Sequence, residues 1–284
     1  MLQLGPVVLN RQLLAVVAAL AAGYAAARAA IRRLPERGAP VANVLLDGLL
    51  IGFLVWKAMP AVRDPSLLWP DPLKALMVSG GAADAGIGLV AGLLAVLAGG
   101  LLRGVALRAI ADAAAVGAAA FLAVNGLAGG WKYGMATGLP WGVTLSDPAL
   151  RYHPVNLYEA LLGLILLAAA ASGRAPAGDG RTGARLVPLL GAGLLAVSLT
   201  DRHGLTWWLL APDQWLAAVL AVAGLFLPRL YILWEAVQER RGFPLAKGDS
   251  KEKRRQEKKN KRQTRQAEPS GSDKWTGGPN RPAE

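Results

Sequence analysis

The chain has 284 residues, 54% of them hydrophobic and only 18% charged, with a mean hydropathy of +0.35, which excludes an ordinary soluble domain and points to a bilayer. It carries 31 Lys and Arg against 19 Asp and Glu, a formal charge of +12, and no cysteine. Disulfides, thiolate metal sites, an enzyme thiol nucleophile and lipidation of the chain itself are therefore excluded, and any sulfur chemistry must use a substrate's thiol.

A bilayer core of about 30 Å takes roughly 20 apolar residues per helix, because other backbone would leave amides unpaired in lipid. The hydropathy pattern predicts an all-α, polytopic membrane domain over 1–238 with seven helices, at 12–30, 41–60, 85–102, 108–127, 156–173, 186–200 and 213–234. The first is rich in alanine, which allows close helix packing in lipid; with Arg11 alone before it and the stronger basic cluster after it, it reads as an uncleaved anchor. In the second, Asp47 and Lys57 lie nearly three turns apart, at different heights. The fourth carries Arg108 and Asp112 at i, i+4, the spacing of a local ion pair. The sixth is the shortest.

Loop charges alternate along the chain. Arg28, Arg32, Arg33 and Arg37, then Arg103 and Arg108, then Arg174, Arg181 and Arg185 follow helices one, three and five, whereas the loops after helices two, four and six are longer and less basic. Short basic loops stay cytoplasmic, so the N-terminus is expected outside and the C-terminus inside. Residues 239–284 form a polar tail with twice as many basic as acidic residues, expected to be disordered, cytoplasmic and attracted to anionic headgroups. Trp275 is isolated within it, so the interleaved aromatics of a nucleic-acid binder are missing and no nucleic-acid partner is expected.

The densest polar and aromatic stretch lies between helices four and five, on the predicted outer side. It runs through Asn125-Gly126, Lys132-Tyr133-Gly134 and Leu139-Pro140-Trp141-Gly142 to Arg151-Tyr152-His153-Pro154-Val155-Asn156-Leu157-Tyr158-Glu159. Pro140, Pro154 and the glycines permit this segment to be ordered without a sheet. Tyr158 and Glu159 fall in the first turn of helix five, where a carboxylate suits the helix dipole.

Leu139-Pro140-Trp141-Gly142 followed by His153-Pro154-Val155-Asn156-Leu157-Tyr158-Glu159-Ala160 resembles the bacterial prolipoprotein diacylglyceryl transferases, whose pattern there reads L-P-W-G and then H-P-(S/V)-Q-L-Y-E-A. Pro72-Leu73 with Gly80-Gly81, and Asn125-Gly126 with Tyr133-Gly134, look like two further stretches of that family. The resemblance is specific over 133–160 and spans roughly 40–235. It implies a multi-pass enzyme of the bacterial cytoplasmic membrane that transfers the diacylglyceryl group of phosphatidylglycerol to the lipobox cysteine of a lipoprotein precursor and releases glycerol phosphate. No cofactor or metal is implied. The thiol needs a base and the departing phosphate needs cations. The resemblance casts His153, Tyr158, Glu159 and Arg202 as catalytic residues and Asn125, Gly126, Lys132, Tyr133, Arg151 and Asn156 as substrate-binding, gathered on a cavity open to the outer leaflet.

Asn156 stands where the family usually has glutamine, and three chemical positions of the family are apolar here. The family's histidine falls at Ala85, its arginine at Ala119 and its glutamate at Trp131. Two functions therefore stay open: a diverged transferase, and an inactive relative that keeps the fold and binds phosphatidylglycerol or a membrane partner. Individual residues carry two readings as well. His153 either caps the turn before helix five or moves a proton; Arg151 and Lys132 are interfacial charges or substrate clamps; Tyr158 is a belt residue or a hydroxyl donor; His203 belongs to a plain loop or binds phosphate.

Overall fold

The computed structural model describes residues 2–4, 7–9, 11–32, 35–69, 78, 80–173, 178–203 and 210–241. The basic tail from Gly242 and the stretch at Pro72-Leu73 lie outside the described residues. The chain divides into two units, Met1–Val237, which holds the helical bundle and its loops, and Gln238–Glu284.

Among the described residues, a short hairpin of β1 (Leu2–Leu4) and β2 (Val7–Leu9) precedes seven long helices. These are α1 (Arg11–Ala30), α2 (Pro35–Arg63), α3 (Ala82–Leu102), α4 (Leu107–Ala128), α5 (Val155–Ser172), α6 (Arg181–Ser198) and α7 (Pro212–Arg240). All seven expected helices form, and α2, α6 and α7 extend well beyond the expected bounds. Six are long and apolar enough to cross a membrane; α6 is not among them, because Arg181 and Arg185 in its first turns dilute its apolar character. The protein is thus a mostly helical, multi-pass type of membrane protein.

Small residues set the packing. In lipid no hydrophobic drive pulls helices together, so close backbone approach must supply dispersion contact. Gly48 and Gly52 of α2 face Gly88 and Gly92 of α3 so closely that a Cβ on Gly88 would lie 2.5 Å from the Gly52 carbonyl oxygen. Gly23 of α1 meets Gly117 of α4 in the same manner, with a Cβ to oxygen distance of 2.8 Å. Helix α4 is central: 50% of it is buried, against 17% of α3, and it touches α1, α5 and α6. Its alanine-rich sequence is what permits three close neighbours.

The two ends of α4 define the two ends of the bundle. Ile31 of the turn after α1 and Val41–Leu45 of α2 pack with Val105, Ala109 and Ile110 near the start of α4. At this end the carboxylate of Asp112, only 3% exposed, accepts backbone hydrogen bonds from Gly178 (3.0 Å), Gly180 (3.0 Å) and Gly183 (2.6 Å). Gly180 has φ +89, and a Cβ there would lie 2.6 Å from a ring carbon of Tyr231, so no other residue fits. The expected Arg108–Asp112 ion pair does not form. Arg108 pairs instead with Glu235 of α7 at 3.0 Å, while three backbone amides of the 178–183 turn engage Asp112. Helix α6 begins against Ala111, where a Cβ on Gly183 would lie 2.9 Å from the Ala111 carbonyl carbon, and ends where the Thr200 carbonyl accepts a bond from the Met135 N–H beyond the far end of α4.

The segment after α4 contains a sheet, contrary to expectation. Strands β3 (Tyr133–Ala136), β4 (Val143–Thr144) and β5 (Arg151–Pro154) form an antiparallel sheet in the order β3-β5-β4, with Tyr133 opposite Pro154, Ala136 and Val143 opposite Tyr152, and Thr144 opposite Arg151. The prolines that argued against a sheet sit at its margins. Pro154 ends β5 with no N–H to give, and Pro140 lies in the turn between β3 and β4.

Candidate functional site

Asn156 closes the root of the loop. Its buried amide donates to the Gly126 carbonyl at 3.0 Å and its side-chain carbonyl accepts from the Lys132 backbone N–H at 3.2 Å, tying the end of α4 to the start of α5. Gly126 makes this possible, since a Cβ there would lie 2.4 Å from the Asn156 carbonyl oxygen. These two expected substrate-binding residues are thus engaged in holding the loop.

Above that root, the Lys132 ammonium lies 2.6 Å from Asp201 Oδ2 and 3.1 Å from Glu159 Oε1. The lysine side chain is 49% exposed, while the carboxylates are 18% (Glu159) and 13% (Asp201) exposed. Burial pushes the Lys132 pKa down, but the hydrogen bonds and charges of Asp201 and Glu159 outweigh it and hold the pKa above its ordinary value. Lys132 is therefore a permanent cation, fixed in place with one side open to solvent.

Beside it runs a second chain of contacts. Trp141 Nε1 donates to Tyr158 Oη at 2.9 Å, and Tyr158 Oη lies 3.0 Å from His153 Nδ1, the two rings packed edge to face at 5.8 Å. A phenol has one proton and two lone pairs, so it accepts from the indole and still bonds the imidazole. With Nδ1 held by Tyr158, Nε2 is the ring nitrogen left to face a substrate. The two arrangements meet because Tyr158 and Glu159 are consecutive in the first turn of α5.

Arg202 joins the sheet differently. Its Nε donates to the Gly134 carbonyl at 2.9 Å and its guanidinium lies 4.8 Å above the Tyr152 ring. Successive strand residues face opposite sides, so Tyr152 directs Arg202 to one face of β5 and His153 turns to the other. The structure therefore groups His153 with Tyr158, and Lys132 with Glu159, but seats Arg202 across the strand from His153. Arg151 donates to the Pro140 carbonyl at 3.3 Å and braces the turn that carries Trp141. Tyr133 stacks on Trp131 at 6.0 Å, and the main-chain carbonyl of Asn125 accepts from the Gly129 N–H at 2.7 Å in the last turn of α4. His203 binds the Ser198 carbonyl at 2.7 Å and neighbours Gln214 and Asp213 of α7, so it ties α6 to α7.

Sequence reasoning overlooked Asp201 as a partner of Lys132. The available signal was its place beside Arg202 in the other loop at the same end. It also passed over Trp141, which lies inside the Leu139-Pro140-Trp141-Gly142 motif. Among the described residues no three His, Asp or Glu side chains gather as metal ligands would. Comparison with known proteins finds no matching family model and no matching curated protein. Function rests on the residues and their geometry.

Proposed function

We propose that this protein is a diverged prolipoprotein diacylglyceryl transferase of the bacterial cytoplasmic membrane, with phosphatidylglycerol and a lipobox-bearing lipoprotein precursor as substrates. The observation that carries this reading is that the family-like run at 133–160 joins a hydrogen-bonded imidazole to a fixed ammonium through Tyr158 and Glu159. In this reading His153 takes the proton of the lipobox thiol, whose ordinary pKa of about 8.5 leaves little thiolate at neutral pH. The thiolate attacks the glyceryl carbon, a C–S bond forms, and the C–O bond to phosphate breaks. Glycerol phosphate leaves with the electron pair, its charge met by Lys132, whereas Arg202 stays on the far face of β5.

Seven crossings, with the 129–154 loop outside and the C-terminus inside, belong to the same proposal. The 18 residues of α6 rise about 27 Å, close to the thickness of the hydrocarbon core, and they run beside α4 from one end to the other. Basic loops collect at the opposite end, and the tail leans on anionic lipid there.

A second reading, lipid binding without turnover, is favoured by Ala119. It is fully buried in a cluster with Ala115, Leu166, Leu186 and Leu190, so the family's arginine has no room there. The deciding experiment supplies purified protein with phosphatidylglycerol vesicles and a lipobox peptide, alongside complementation of a transferase-depleted bacterium. A thioether-linked diacylglyceryl peptide supports the transferase. Phosphatidylglycerol binding without product supports the second reading, and a protein that neither binds the lipid nor forms product refutes both.

A further inference from the structure

At the other end of the bundle, the end of α1 and the start of α2 border an open cavity of about 220 Å³. Its lining includes Tyr24, Arg28 and Arg32 from α1 and its following turn, and Gly38, Ala39 and Asn43 from the start of α2. Arg28 in the last turn of α1 and Arg32 in the turn that follows both line this one cavity. Gly38 keeps the space open: the helices approach so closely that a Cβ there would lie 2.9 Å from the Ile31 carbonyl oxygen.

Elsewhere most described basic residues of the loops and helix ends have partners, with Arg151, Arg185 and Arg202 donating to the backbone carbonyls of Pro140, Ala169 and Gly134. Arg63 pairs with Asp84, Arg103 with Asp47, Arg108 with Glu235 and Lys132 with Glu159 and Asp201. Among the residues whose side chains are described, Arg28 and Arg32 meet no carboxylate, and the described lining of the cavity they share holds no acid. Two cations, a tyrosine hydroxyl, an asparagine amide and the positive end of the α2 dipole thus surround one space. Arg28 in the last turn of α1 also offsets that helix's negative end, but this alone does not require a second arginine or a cavity. The volume is below the roughly 300 Å³ of the smallest pockets for drug-sized ligands. It suits a phosphate group with part of its ester, not a whole lipid.

We propose that this cavity is a binding site for a phosphate ester, held bidentately by Arg28 and Arg32 and oriented by Tyr24 and Asn43. Its location favours the headgroup of an anionic phospholipid. The cavity adjoins the start of α4, whose 22 residues rise about 33 Å to the His153 loop, so the bound lipid belongs to the leaflet opposite that loop. The site is independent of the proposed transferase reaction.

The test uses the full chain, tail included, in phosphatidylcholine nanodiscs doped with phosphatidylserine, with co-purifying lipid counted by native mass spectrometry. A parallel arm measures inorganic phosphate binding in detergent. Arg28→Gln with Arg32→Gln should lose one tightly held anionic lipid, with retention about tenfold weaker for each guanidinium removed, while any lipid transfer stays unchanged. Ala39→Leu, which fills the cavity without altering charge, should lose the same lipid. Arginine-dependent binding of inorganic phosphate but not of lipid supports the site and assigns it a soluble phosphate ester. Equal retention by wild type, the double variant and Ala39→Leu, with no arginine-dependent phosphate binding, overturns the proposal.

Discussion

Replacing Lys132 by Met leaves the Glu159 and Asp201 carboxylates, both largely buried, facing each other across the space the ammonium held. Removing one partner of a fully buried ion pair costs about 3–5 kcal/mol, whereas an exposed pair contributes about 0.2–1 kcal/mol. Here the lysine is 49% exposed and bound to two acids that are 18% and 13% exposed, so the loss should fall between these limits, at about 2 kcal/mol. Unfolding of the detergent-solubilised protein would measure it. The pH sign follows from the raised Lys132 pKa: the stabilisation is complete below the ordinary value of 10.5 and is lost as pH climbs through the higher folded value. The stability difference between wild type and Lys132→Met should therefore be constant near neutrality and shrink only in strong alkali. Combining Lys132→Met with Glu159→Gln and Asp201→Asn removes every charge of the cluster, and this triple variant should recover most of the lost stability. Transfer of diacylglyceryl should fall by about a hundredfold or more in both the single and triple variants, if the ammonium meets the departing phosphate. A Lys132→Met protein as stable as wild type would refute the clamp. A triple variant with restored transfer would refute the role of Lys132 in binding phosphate.

Three further substitutions test the residues on the two faces of β5. His153→Ala should lower transfer by about a hundred- to a thousandfold without impairing membrane insertion, whereas Arg202→Ala, across β5 from His153, should lower it far less, and Tyr158→Phe should change the pH profile of transfer, because it removes the hydroxyl on His153 Nδ1. Asp112→Ala should destabilise the protein by about 3 kcal/mol or more in thermal unfolding, since it strands three backbone N–H donors in a buried site; an unchanged melting temperature would show that the glycine loop holds without it. Reporter fusions after Pro140 and Lys258 should appear on opposite sides of the membrane, outside and inside; both on one side would rule out seven crossings.

The range of the forces involved decides how much of this protein is legible in its sequence. Hydropathy located every long helix, because a chain in lipid must satisfy its amides within each segment, a local requirement readable in a window of about 20 residues. It did not distinguish α6, whose paired arginines lower its apolar character although its buried Leu186 and Leu190 pack with Ala115, Ala119 and Leu166. The motif around His153-Pro154-Val155-Asn156-Leu157-Tyr158-Glu159 marked the loop where the polar side chains gather. Side-chain partners were another matter. Arg108 and Asp112 have ideal helical spacing, yet each is matched by a residue from a distant element, Glu235 and the 178–183 turn. Lys132 is bound to Asp201, 69 positions away by residue number, and the alternation of β5 turns Arg202 away from His153. The composition and periodicity of this chain determined that it is a bundle of apolar helices with one polar loop. Only the tertiary structure decided which charges meet, because a partner's identity depends on helices packing at their glycines, and that distance is not encoded in any local stretch.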